Sequence, residues 1–124
     1  MKKLVKGVGH ALDGIYYCIS SERNIKIQLV ISLSIILLAI VLPIYLLEKL
    51  LLISMCFVVL VLEMINTGVE RLVDVLSPEY NKQYGIIKDV FAGVVVVGSI
   101  LAVIVGFLIL YEPLISLLNV SAFL

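Results

Sequence analysis

Three stretches of this chain are so apolar for so long that lipid is the only solvent that suits them. Residues 27–47 are broken only by Gln28, Ser32, Ser34 and Pro43, residues 50–70 stay apolar until Glu63 and Asn66, and residues 90–111 are nearly all Val, Ile, Leu and Gly. A hydrocarbon core about 30 Å thick is crossed by about 20 such residues in a helix. Lipid offers no partner to the backbone, so a single-segment span has to be helical. Composition agrees, with 63% hydrophobic and 15% charged residues among 124, where a soluble domain has about half and about a quarter. The expected fold is all-α: one membrane-embedded domain, 1–124, with three transmembrane helices.

The segment before the first span has a different pattern. From Lys2 to Ser21, Leu4, Val5, Val8, Leu12, Ile15, Tyr16 and Ile19 fall on one helical face, with Lys2, Lys6, His10, Asp13 and Tyr17 on the other. That periodicity predicts an amphipathic helix over 2–21, lying in the headgroup region. The start is basic, but no compact apolar stretch with a small-residue cleavage site follows, so no cleaved leader is expected. Glu48-Lys49 reads as a short polar turn between the first two spans. Ser77-Pro78-Glu79 reads as the start of a new helix after the second. Residues 112–124 carry no clear pattern.

Basic residues orient the spans. Lys2, Lys3, Lys6, Arg23 and Lys26 precede the first, Arg71, Lys82 and Lys88 flank the long connection, and Lys49 alone lies on the other side. The positive-inside rule therefore places the amino terminus and the long loop in the cytoplasm. A formal net charge of zero argues against nucleic-acid binding, which needs a basic excess. Cys18 and Cys56 sit in unlike surroundings and suit neither a disulfide nor a metal pair. Gly98, Ala102 and Gly106 form a small-residue stripe, which predicts helix association through the third span.

Chemistry concentrates at one level. Glu63, Asn66, Glu70 and Asp74 lie at i, i+3, i+7 and i+11, within a sector of about 80°. Counted from Leu50, Glu63 falls about 10 Å below the cytoplasmic boundary and Glu70 near it. A carboxylate at Glu63's depth costs at least about 2 kcal/mol unless it is paired or used. Lys88-Asp89 opens the third span from the same side, and Glu22, with Asn24, opens the first. Capping and the helix dipole would explain any one of these acids; their convergence from three helices points to a site. Paired carboxylates suit Mg²⁺, which takes one or two of them plus phosphate oxygens, and a lysine contacts phosphate. A deeper glutamate takes a proton from an interfacial alcohol. These are the parts of a phosphoryl-transfer centre, built without GxxxxGK[ST] or GxGxxG.

The run Glu63-Met64-Ile65-Asn66-Thr67-Gly68-Val69-Glu70, with Asp74, Ser77-Pro78-Glu79-Tyr80 and Lys88-Asp89, resembles the signature of the bacterial small membrane lipid kinases, the prokaryotic diacylglycerol kinases and their undecaprenol kinase relatives. The resemblance implies a homotrimer with sites shared between chains, in the cell membrane with its site facing the cytoplasm, using ATP and Mg²⁺ to phosphorylate a lipid alcohol. It makes Glu63 the general base and Glu22 and Glu70 the Mg²⁺ ligands. Glu79, Tyr80, Asn81, Lys88 and Asp89 become ATP contacts, with Asn66 and Asp74 as further polar site positions and His10 near the nucleotide. Ile87, where the family commonly has Ala, and Phe91-Ala92-Gly93 depart from the pattern and bear on substrate shape. Ser21 to Asn24 is similar to the branch that prefers undecaprenol, so undecaprenol is the expected acceptor and diacylglycerol the alternative. A small multidrug transporter, with four spans and an acid in its first, and a non-catalytic holin-type assembly protein fit the charges less well.

Overall fold

The computed structural model describes all residues, 1–124, as four helices: α1 (Lys2–Ser21), α2 (Arg23–Val41), α3 (Leu46–Leu76) and α4 (Lys82–Ala122). The last three are long and apolar enough to cross a membrane. Only 11 of 124 residues are buried, so nearly all the apolar surface is left for lipid or for other protein chains. α3 is the central helix. α2 and α4 both pack along it and do not pack on each other, while α1 touches α2 and α3.

The connections differ from those expected. The first span ends at Val41 rather than 47, because Leu42 precedes Pro43 and takes an extended conformation (φ −73°, ψ 145°) that the proline ring enforces on its neighbour. The turn is therefore 42–45, and Glu48-Lys49 belongs to the first turns of α3. There the Glu48 carboxylate accepts a hydrogen bond from the Tyr45 amide at 2.9 Å. At the other end, Ser77 closes α3 instead of opening the next helix. It too precedes a proline, and its hydroxyl donates to the Glu79 carbonyl at 2.8 Å. The cap of α4 is Asn81, whose side chain accepts from the Gln83 amide at 2.9 Å. α4 then runs on through Pro113 to Ala122, so residues 112–122, unassigned from the pattern, continue the third span as helix.

At the end of the bundle away from the carboxylates, Ala39, Leu42, Leu52 and Leu110 form the buried core, with Ile35, Ile44, Ile109 and Leu114 packed around them. Nearer the carboxylates, Gly98 lets α4 approach α3 so closely that a Cβ there would run into the Leu62 Cδ1 methyl, whereas one at Gly106 would meet nothing. The small residue at the narrow point of the stripe thus serves packing within the chain.

Candidate active site

Glu22 is the single non-helical residue between α1 and α2 (φ −109°, ψ 117°), and its side chain makes no capping hydrogen bond. The capping hydrogen bond that would explain an acid at this position is not one this carboxylate makes. Cys18 and Ile25, one turn to either side, are buried and anchor the joint. Burial and the Glu22 charge push the Cys18 thiol up, which keeps it protonated and unreactive at neutral pH.

Glu63 is half-buried on α3, and the charges that bear on it are those of Glu22 and Glu70. Carboxylates from the α1–α2 joint and from two positions on α3 therefore share one neighbourhood. Asn66 lies between the two α3 acids. Its amide donates to Glu70 Oε1 at 3.5 Å, while its own Oδ1 is buried without a partner. An orphaned acceptor beside three carboxylates is a place for a donor from outside the chain, since buried polar atoms are rarely left unpaired. The Thr67 hydroxyl donates back to the Glu63 carbonyl at 3.0 Å, so its proton is already committed to the helix backbone.

Lys88 and Asp74 join α4 to α3 through the chain's one salt bridge, Nζ to Oδ1 at 2.8 Å. Asp89, beside Lys88, is exposed, as are His10 on α1 and Glu79, Tyr80 and Asn81 before α4. Glu22, Glu63 and Glu70 are thus gathered by the fold, whereas the loop residues, Asp89 and His10 are left exposed. No three carboxylate, histidine or cysteine side chains converge tightly enough to hold a metal ion by themselves. Mg²⁺ asks for less, one or two carboxylates completed by phosphate and water; Glu22 and Glu70, whose charges both act on Glu63, are the carboxylates nearest to that description.

Beyond Glu63 the same helix face floors an apolar groove of about 630 Å³, walled by α2 and α4. At 100° per residue, the groove-lining Leu52, Met55, Cys56 and Val59 fall in one sector of about 100° with Glu63, Asn66, Glu70 and Asp74. Val59 is one turn from Glu63. The groove's polar residues include Gln28, whose amide donates to the buried Ser32 hydroxyl at 3.3 Å, and Ser99, which adjoins Gly98. No carboxylate lines the groove itself, but on α3 its floor ends at Val59, one turn before Glu63, so an oily body and a polar end find their surfaces on one helix face. Sequence reasoning noticed Gln28 and Ser32 only as interruptions of a span; their four-residue spacing was the available signal.

A profile of the prokaryotic diacylglycerol kinase family matches residues 9–110. The chain belongs to that family. It is 33% identical over 110 residues to a diacylglycerol kinase from Synechocystis, an alignment covering 88% of this chain and 63% of that protein. It is 27% identical to the diacylglycerol kinase of Escherichia coli K12, covering 89% of this chain and 90% of the relative. It is 24% identical to the undecaprenol kinase of Bacillus subtilis, covering 92% and 93%. The family region takes in Glu22, the α3 acids, the loop and the Lys88-Asp89 pair, together with the residues that line the groove except Tyr111, Leu114 and Ile115.

Proposed function

We propose that this chain is a lipid kinase that moves the γ-phosphoryl group of ATP onto the hydroxyl of a membrane lipid alcohol at the cytoplasmic face. The observation that carries the proposal is the single face of α3, apolar groove floor up to Val59 and carboxylate stripe from Glu63 onward. A lipid tail lying in that groove brings its hydroxyl to Glu63. Glu63 accepts the hydroxyl proton, the alkoxide oxygen bonds to the γ-phosphorus, and the bond from that phosphorus to the ADP oxygen breaks. Asn66 Oδ1 receives a donor from the bound reactants, and Lys88 offers its ammonium to phosphate oxygens. Glu22 and Glu70 would hold Mg²⁺, which would supply neutralisation of charge on the transferring group. Glu79, Tyr80, Asn81 and Asp89 take the nucleotide from the solvent side, with His10 at its edge, and α1 lies on the membrane surface over the entrance.

For the acceptor, the Ser21-to-Asn24 resemblance supports undecaprenol. The greater identity to relatives named diacylglycerol kinase supports diacylglycerol as the second reading. The oligomer is a homotrimer. α3 has the face for it: Leu50, Ser54, Phe57, Val61, Ile65, Gly68 and Leu72 are all exposed on the side opposite Glu63, with small residues at two positions where helices approach.

The test is direct. Purified protein in detergent micelles with labelled ATP and Mg²⁺, offered undecaprenol and diacylglycerol side by side, is expected to label one preferentially and to stop when the metal is chelated. Label transfer to neither lipid would overturn the reading. The groove has its own test. Ala102→Phe fills it from α4 and is expected to raise KM for the lipid about tenfold, the effect of overpacking by about 1.4 kcal/mol. KM for ATP should move less than twofold. Equal shifts in both constants would take the lipid tail out of the groove.

A further inference from the structure

Asp74 and Lys88 form an ion pair that stability does not explain. It is the only salt bridge in the chain, and the two side chains retain 57% and 36% of their exposure. Pairs this exposed add little to folding, because water screens the attraction and the long lysine side chain must be ordered. Yet it spans two helices, fourteen residues apart in sequence, at the rim of the carboxylate cluster. The groups facing Lys88 from α3 are Asp74, which holds it at 2.8 Å, and Glu70, whose charge also bears on it.

A lysine ammonium carries three donors on a flexible four-carbon stem. Asp74 uses one, leaving two for a ligand, and fixes the stem so that they need not be ordered when the ligand arrives. A free lysine near Glu70 would have the alternative of swinging onto that carboxylate, away from any phosphate. We propose that Asp74 is a positioning residue: it holds Lys88 over the site with two N–H groups directed at the phosphates of the nucleotide. The inference rests on the lipid kinase reading, in which Lys88 contacts phosphate. It assigns Asp74 a role through Lys88 and no contact of its own with substrate. Positioning of this kind acts on the transferring group in the transition state, where small displacements of a charged group are costly.

The experiment is a double-mutant cycle in detergent micelles with MgATP and whichever lipid alcohol the wild type phosphorylates. Asp74→Ala is expected to lower kcat about tenfold, with KM for ATP changing less than twofold. Asp74→Glu should recover most of the loss, because its longer carboxylate still reaches Nζ. In a Lys88→Ala background, itself nearly inactive, Asp74→Ala should cost nothing more. Thermal melting of all variants should stay within a few degrees of wild type, which separates positioning from folding. Wild-type kcat for Asp74→Ala alongside an inactive Lys88→Ala would overturn this inference and leave the kinase reading standing. So would losses that multiply instead of saturating. Full activity in Lys88→Ala would remove both.

Discussion

Glu63→Gln should lower turnover by at least about a hundredfold, the usual lower bound for removing a general base, while the protein still inserts and folds. The amide has the size and shape of the carboxylate and keeps an acceptor oxygen, so lipid and nucleotide lose no volume to fill. What it lacks is the capacity to take a proton. The contact that holds the local backbone, from the Thr67 hydroxyl to the Glu63 carbonyl, does not involve the side chain and survives. Stability should hold or rise, because Glu63 lies among the charges of Glu22 and Glu70 and an ionised side chain at that depth is expensive. The measurement pairs initial rates under saturating ATP with melting in the same detergent. A variant that kept more than a tenth of wild-type turnover would exclude Glu63 as the base.

Much of this arrangement was legible because membrane helices have so few ways to fold. Spans declare themselves by length, and the period of α3 alone put Glu63, Asn66, Glu70 and Asp74 on one face. The helix ends were harder. Two prolines mislead in the same way: Pro43 looks like a tolerable kink and Pro78 like a first-turn residue. In both cases the decisive effect is on the residue before, Leu42 or Ser77, which is pushed out of the helical region and ends the preceding helix. The true cap of α4, Asn81, lies three residues beyond the proline, hidden among loop residues that the family resemblance had marked for ATP. Pro113 shows the converse: its ring did not end α4, which continues to Ala122.

What no periodicity reveals is the choice among equivalent partners. Arg71 stands three residues before Asp74 on the same helix, yet the packing of α4 against α3 gives Asp74 to Lys88. The stripe Gly98, Ala102, Gly106 predicted helix association through the third span. Its members play different parts, Gly98 closing on Leu62 of α3 and Ala102 and Gly106 lining the groove wall. The groove itself exists because α2 and α4 each pack on α3 and leave the space between them unfilled, a consequence of three-dimensional arrangement that the composition of any one helix does not contain.

The second large effect is expected at Gly98. Leu62, which occupies the space a side chain there would need, immediately precedes Glu63, and Gly98 stands on the same helix as Lys88. The α3–α4 distance at this point therefore sets how far the base lies from the phosphate contact. Gly98→Ala asks only that a flexible methyl swing aside, and a severalfold loss of activity is expected. Gly98→Ile is different: its branched side chain is stiff at χ1 and forces the helices apart. Overpacking of this kind costs about 1–3 kcal/mol, visible as a lower melting temperature, and a shift of about 1 Å between reacting groups costs about a hundredfold in rate. Gly98→Ala combined with Leu62→Ala should recover most of what Gly98→Ala loses, because residues in contact are coupled. If Gly98→Ile melts and turns over like wild type, the close approach of α3 and α4 does not hold the site together, and the relation between Glu63 and Lys88 must be set elsewhere.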